Sequence, residues 1–193
     1  MQSKEINILS IMKDLVSVQS DTGTRQEERA AEKIAEYFES DAYFAAHPDH
    51  WGLYPIQGDG LGRSVCWAMV RGSGDKTIVL VHHYDVVDIE DYKTLKSWAY
   101  APEPLREALM QHKDMLPEEA RQDLESGKFL FCRGGCDMEG GGSIQYALLE
   151  AYSRISRAMS LCSGFPMKKI CRPVCGERIV CWQSCRTGMA CAT

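Results

Sequence analysis

The sequence lacks the features of membrane-bound and nucleic-acid-binding proteins. No apolar run in its 193 residues approaches the roughly 20 residues of a membrane-spanning helix. The first ten residues lack the charged, apolar, small order of a secretory signal. Basic residues are not in excess, since 22 Lys and Arg face 27 Asp and Glu, whereas nucleic-acid surfaces need clustered positive charge. We expect a cytoplasmic protein with neither a membrane nor a nucleic acid as partner.

Cysteine is scarce over most of the chain. Only Cys66, Cys132 and Cys136 precede residue 158, and the other six of the nine cysteines follow it. That final stretch carries a net charge of +4, whereas the sequence before it carries −9. The whole chain is 45% hydrophobic and 25% charged, which is typical of one soluble domain. Two different compositions therefore share one chain.

Hydrophobic periodicity predicts a layered α/β domain. The expected order is helix, helix, strand, strand, strand and helix, over residues 4–18, 25–39, 64–70, 77–81, 129–131 and 143–152. Thr24 and Glu27 have the spacing of a capping box before the second helix. The apolar run 77–81 predicts a strand buried on both faces, and the polar segment after Asp85 predicts a surface insertion. In such folds the functional loops lie at strand ends.

Two polar motifs follow predicted strands. His83 and Asp85 stand two residues apart at the end of a strand, so their side chains leave the same face. A carboxylate beside a metal-binding histidine fixes the tautomer of its ring. Asp137 lies in a glycine-rich turn between a strand and a helix. Each motif alone also fits a structural role, as caps of backbone groups at the strand end or as the N-cap of the next helix.

Together, the motifs resemble those of the co-catalytic zinc exopeptidases and deacylases. This family includes glutamate carboxypeptidase, aminoacylase, acetylornithine deacetylase and succinyl-diaminopimelate desuccinylase. Its His-x-Asp element stands here as His83-Tyr84-Asp85, and its Gly-Arg-Gly-x-x-Asp-Met-Lys-Gly-Gly element stands as residues 132–141. Cys132 replaces the first glycine of the second element, and Glu139 replaces its lysine. The long, Asp-rich connection after Asp85 is most similar to that of the arginine-utilization subgroup.

The resemblance covers roughly residues 5–153 and implies a fold, a reaction and a cofactor. The implied fold is the N-terminal portion of a layered α/β/α catalytic domain. The implied enzyme is a metallopeptidase or amidohydrolase that uses two zinc ions on small peptides or acyl-amino acids. By resemblance, His83 binds one zinc, Asp137 bridges both zincs, and Asp85 is the catalytic residue that orients His83. His82 would be a neighbour and not a ligand.

The tail departs from the family. The resemblance implies a further strand ending in Asp-Glu-Glu, which supplies the general base and a zinc ligand, but six cysteines without periodicity follow instead. Read in the neighbouring frame with permitted codons, the tail becomes GNVLVFRFPDEENLSAGMR and then GADCLLAELQDRHGLR. We therefore expect a reading-frame shift that divides the chain into a partial catalytic domain, 1–154, and an irregular frame-shifted tail, 155–193. Such a chain would be truncated and inactive, because two ligands without a base bind zinc weakly.

Two other functions fit parts of the sequence. The pairs Cys171 and Cys175, and Cys181 and Cys185, have loose zinc-ligand spacings, which are typical of a small zinc-binding module. Cys136 is a candidate nucleophile, although the sequence identifies no base for it. Metal content after substitution of the tail cysteines would separate the zinc module from the hydrolase.

Overall fold

A computed structural model of the protein describes residues 6–155 and 160–164. Within these ranges the chain forms six α-helices and four β-strands. The helices are α1 (Ile8–Val16), α2 (Glu27–Ser40), α3 (Ala42–Ala46), α4 (Pro102–Gln111), α5 (Glu118–Ser126) and α6 (Gly140–Ser153). The strands are β1 (Trp51–Pro55), β2 (Ser64–Val70), β3 (Thr77–Leu80) and β4 (Ser160–Gly164). Short helical turns cover Pro48–His50, Glu90–Trp98, Lys113–Met115 and Gly135–Glu139.

The four strands form one mixed sheet in the order β1-β2-β4-β3. β2 is antiparallel to both β1 and β4, and Val70 lies opposite Leu161. β3 is parallel to β4, and Ile78 lies opposite the same Leu161. The predicted α/β class is therefore confirmed, and β4 is the strand that links β2 to β3.

The core lies between the sheet and the helices α1, α2 and α6. Phe38 of α2 packs edge-on against Phe44, at 4.8 Å between ring centroids, and against Tyr146 of α6, at 5.2 Å. The sheet contributes Ala68, Val70 and Leu161 to the same cluster. This packing sets α6, and the turn before it, against the sheet.

The predicted capping box at α2 does not form. The N-cap is Gln26, which makes no side-chain cap bond, and Glu27 is the first residue of α2. The Thr24 hydroxyl instead accepts a hydrogen bond from the Gln26 amide, and the Glu27 carboxylate accepts one from the Gly23 amide at 2.6 Å. Both side chains therefore satisfy backbone donors of the loop just before the helix.

Three expectations about the strands were wrong. β3 is not buried on both faces, because it is an edge of the described sheet and Ile78 is 45% exposed. Residues 129–131 form no strand, and Phe129 is 53% exposed. β4 lies in the stretch that we expected to be irregular, where it gains order by pairing on both sides.

No described helix combines the length and apolar character needed to cross a membrane.

The predicted surface insertion has packing of its own. α4 begins with Pro102 at its first helical position, and α5 is followed by the C-cap residue Gly127, whose φ is +67°. Leu105 of α4 and Leu124 of α5 are almost completely buried. The insertion is therefore more than a polar loop, since two of its helices pack against one another.

Candidate metal centre

Two segments that are far apart in sequence meet at the end of β3. His83 and Asp85 follow the last residue of that strand, and Asp137 lies in the helical turn Gly135–Glu139 that leads into α6. Nε2 of His83 is 2.9 Å from Oδ1 of Asp137. The fold thus brings the two predicted ligands together, along with the residue predicted to orient one of them.

Both nitrogens of the His83 ring face acceptor oxygens. Nδ1 is 3.0 Å from the backbone oxygen of Asp85 and 3.5 Å from its carboxylate oxygen Oδ1. Nε2 faces the carboxylate of Asp137. Asp85 thus lies against the Nδ1 side of the ring with both its main chain and its carboxylate, and Asp137 lies on the Nε2 side.

This arrangement fits a metal ion. Nε2 of His83 and a carboxylate oxygen of Asp137 lie 2.9 Å apart. Both atoms can donate a lone pair to a cation, and zinc binds this pair of donor types. His83 is 20% exposed and Asp137 is 84% exposed, so an ion can reach them from solvent. Among the described residues, however, no group of three or more His, Cys, Asp and Glu is placed to hold a metal.

His82 has a structural role. It is buried, and its two ring nitrogens contact the side-chain oxygen of Gln145, at 2.9 Å, and the hydroxyl of Tyr146. Burial lowers the pKa of His82 to about 4, partly offset by the bond to Gln145, so the ring is neutral near pH 7. Both partners lie on α6, so His82 fastens the end of β3 to that helix.

Glu139 is an acidic residue that lies buried beside the candidate metal centre. Its side chain is buried, and one carboxyl oxygen, Oε2, has no hydrogen-bond partner among the described residues. Burial raises the pKa of Glu139 to about 8, and the charge of Asp85 adds to the increase. The side chain is therefore mostly a neutral acid at pH 7. In the sequence, the replacement of the family's lysine by Glu139 was the only sign that this residue is unusual.

The glycines around Asp137 let the turn lie close to the end of β3. Gly134 has a φ of +78°, and a Cβ there would be 2.6 Å from Cγ1 of Val86. A Cβ at Gly140 would be 2.7 Å from the backbone oxygen of Gly135. Larger residues would therefore push Asp137 away from His83. The peptide bond from Asp137 to Met138 is cis.

Sequence reasoning missed the loop between α1 and α2. The Thr22 hydroxyl donates a hydrogen bond to Oδ2 of Asp85 at 2.8 Å, across 63 residues of sequence. Nothing local marks such a contact, because Thr22 reads as an ordinary turn residue. Cys136, the candidate nucleophile, is an exposed free thiol beside Asp137, while Cys171 and the later cysteines lie outside the described residues.

Two curated proteins of Bacillus subtilis (strain 168) are similar to this chain. Protein YqjN is 39% identical over 150 residues, which is 77% of this chain and 27% of YqjN. Protein RocB is 33% identical over 141 residues, which is 72% of this chain and 25% of RocB. The chain thus spans about a quarter of the length of these relatives. No family model matches it.

Solved structures share the fold. Human carnosine dipeptidase 1 matches with a TM-score of 0.51 at 12% identity, over 81% of this chain and 31% of the dipeptidase. The predicted resemblance to the metallopeptidases is confirmed. An M20 family metallo-carboxypeptidase, Sso-CP2 from Sulfolobus solfataricus, also matches, with a TM-score of 0.49 and 14% identity over 83% of this chain and 30% of its own. In the fold shared with the dipeptidase, the end of β3 and the turn before α6 hold His83, Asp85 and Asp137 of this chain.

Proposed function

We propose that this chain carries part of the active site of a zinc-dependent hydrolase that cleaves amide bonds in small peptides or acyl-amino acids. His83 and Asp137 are the proposed zinc ligands, and Asp85 is the proposed orienting residue. The observation that carries the proposal is the 2.9 Å approach of His83 Nε2 to Asp137 Oδ1. The shared fold and the similarity to RocB support a hydrolase of the arginine-utilization subgroup, and the composition supports a cytoplasmic location.

Each residue of the site has a separate proposed role, which follows from its position. Asp85 holds the Nδ1 proton of His83, which leaves the Nε2 lone pair directed at the metal position. Asp137 has two oxygens on an exposed side chain, which suits a ligand shared by two ions. Bound zinc would supply the Lewis acid that polarises the substrate carbonyl. Glu139 stays neutral beside Asp85 and so adds no second negative charge there.

We also propose that these 193 residues alone are inactive. They retain two ligands and an orienting residue, and the family's Asp-Glu-Glu element is absent from the sequence. A site with two protein ligands and no general base binds zinc weakly and leaves water unactivated. We expect amide hydrolysis by this chain to match the rate in buffer.

Zinc titration of matched variants tests the assignment of the ligands. His83→Ala and Asp137→Asn should each weaken zinc binding by about 10-fold or more, because each removes one of two ligands. His112→Ala and Asp75→Asn are the matched controls, since both residues are exposed and lie away from the site. Isothermal titration calorimetry provides the affinities. Equal affinities in all four variants would exclude His83 and Asp137 as ligands.

Substitution of the tail cysteines tests the alternative zinc module. A Cys171→Ser, Cys175→Ser variant should keep its zinc stoichiometry if the metal lies at His83 and Asp137. Loss of zinc from this variant, with normal zinc in His83→Ala, would instead support the cysteine site. The two proposals thus predict opposite results for the same pair of proteins.

The division of the chain at residue 155 is a separate proposal. In the neighbouring frame the stretch around β4 reads as an apolar strand followed by Asp-Glu-Glu, and in the given frame residues 160–164 also form a strand, β4. Sequencing the gene across the codons for Glu150 to Thr193 tests the frame shift. A neighbouring frame that stays open and encodes Asp-Glu-Glu supports it, and an immediate stop codon there contradicts it.

A further inference from the structure

We propose that Thr22 is a positioning residue for the metal centre, which it serves by holding the carboxylate of Asp85 in place. The inference rests on the proposed function, because it assigns Thr22 a role toward the zinc ligand His83. The role belongs to a residue that touches neither ligand directly. Three sets of contacts support this role.

The first step is the attachment of the loop after α1 to the end of β3. The Ser20 hydroxyl donates to the backbone oxygen of Tyr84 at 2.8 Å, and the Val86 amide donates to the oxygen of Ser20 at 3.0 Å. The Thr22 amide then donates to the oxygen of Val86 at 2.8 Å. Residues 20–22 therefore run parallel to residues 84–86, joined by two main-chain bonds at Val86 and by the Ser20 hydroxyl at Tyr84.

The second step is the division of the Asp85 carboxylate between two neighbours. Oδ2 accepts the Thr22 hydroxyl at 2.8 Å, while Oδ1 lies 3.5 Å from Nδ1 of His83. The Thr22 hydroxyl is also 3.0 Å from the backbone oxygen of Val86, but the charged carboxylate is the stronger acceptor for its single proton. With Oδ2 held, Oδ1 stays on the side of the His83 ring.

The third step is the rigidity of the loop itself. The Tyr100 hydroxyl donates to Oδ1 of Asp21, and the side-chain amide of Gln19 donates to Oδ2 of Asp21 at 2.8 Å. On the other side of Thr22, the Gly23 amide donates to the buried carboxylate of Glu27 at 2.6 Å. The contacts of Asp21 and Gly23 thus hold Thr22 in place, so the Thr22 hydroxyl keeps its position at the Asp85 carboxylate.

Three variants separate positioning from general loosening of the loop. Thr22→Val removes the hydroxyl while keeping the shape, and Thr22→Ser restores it. Thr24→Val is the matched control, because the Thr24 hydroxyl lies in the same loop but bonds to the oxygen of Asp21, at 2.7 Å, and to the Gln26 amide, at 3.2 Å. We expect Thr22→Val to weaken zinc binding about 10-fold, and the other two variants to bind as wild type does.

A second measurement on the metal-free protein makes the test independent of zinc. In mildly alkaline buffer, ¹⁵N spectra of the His83 ring should show a larger fraction of the Nδ1–H tautomer in the wild type than in Thr22→Val. Wild-type affinity and tautomer in Thr22→Val would overturn the proposal. Equal effects in Thr22→Val and Thr24→Val, or no rescue by Thr22→Ser, would overturn it as well.

The two readouts also separate this inference from the proposed function. If the wild-type chain binds no zinc, the proposed function fails, and the His83 tautomer still decides the role of Thr22. If zinc binds at His83 and Asp137 but neither readout responds to Thr22→Val, the proposed function stands and the positioning role is wrong.

Discussion

At the scale of single residues, Arg63 holds together two carboxylates near the start of α2. Its guanidinium is 3.1 Å from Oε2 of Glu27 and 2.9 Å from Oδ1 of Asp59. The Glu27 side chain is only 2% exposed, and the guanidinium of Arg63 is paired with it. A buried ion that loses its partner destabilises a fold far more than a broken surface pair does. Arg63 therefore also supports the loop that carries Thr22.

Replacing Arg63 by methionine should lower the free energy of unfolding by about 3 kcal/mol, because Glu27 is left buried without a counter-charge. Arg121→Met is the matched control, since Arg121 pairs with Glu118 at the surface of α5, where the two side chains are 34% and 59% exposed. That variant should change stability by about 0.5 kcal/mol or less. Urea denaturation of both variants measures the difference, and equal losses would contradict the prediction.

Asp59 should make stability depend on acidic pH. Hydrogen bonds from the side chain and backbone of Arg63 lower the pKa of Asp59 from 3.8 to about 2. A carboxyl whose pKa is lower in the folded state stabilises the fold above its unfolded pKa, and this contribution is lost as the pH falls through its folded pKa. The wild type should therefore lose more stability than Asp59→Asn between about pH 4 and about pH 2. Urea midpoints across this range test the prediction, and parallel curves would refute it.

At the scale of elements, β4 decides whether the sheet is continuous. It is antiparallel to β2 on one side and parallel to β3 on the other, and its Leu161 is buried between them. Without β4, β3 would have no partner in the described sheet. The segment after β3 carries His83, so the position of the candidate metal centre depends on this strand.

Leu161→Ala should lower the free energy of unfolding by about 3 kcal/mol, because it opens a cavity in the core. Ile78→Ala is the control from the neighbouring position in register, where the side chain is 45% exposed, and it should cost about 1 kcal/mol or less. Denaturant titrations provide both values. A neutral Leu161→Ala would show that residues 160–164 do not form the central strand in solution.

At the scale of the whole molecule, part of the apolar surface faces solvent. Ile144 and Leu148 lie one turn apart on α6 and are 57% and 46% exposed. Beside them, Val81 is 36% exposed, and its carbonyl accepts a hydrogen bond from Gln145 of the same helix. Adjacent apolar side chains on a surface promote association between molecules. The outer edge of β3, which pairs with no further strand among residues 6–155 and 160–164, adds to this tendency.

We expect the isolated chain to self-associate as its concentration rises, with a mean mass above the 21.7 kDa of one chain. The double variant Ile144→Lys, Leu148→Glu should return the mass toward that of one chain. Met115→Lys is the control, because Met115 is 83% exposed but lies in the insertion, away from α6. Size-exclusion chromatography with light scattering measures the mass. The same mass in all three proteins would rule out α6 as the associating surface.

The sequence alone was sufficient for the features that depend on neighbours along the chain. The spacing of apolar residues predicted α2, β2 and α6, because helix and strand periods are properties of short segments. The two motifs identified His83, Asp85 and Asp137 and the metallopeptidase resemblance, because motif residues lie within a few positions of one another.

Only the tertiary structure decided the contacts between distant segments. It placed β4 between β2 and β3, left Ile78 exposed at an edge, buried Glu139 and brought Thr22 to Asp85. Each of these outcomes depends on which segments pack together, and residues 63 positions apart share no local pattern that records their contact. The candidate ligands could therefore be predicted from the sequence, whereas their contacts with distant segments became visible only in the folded chain.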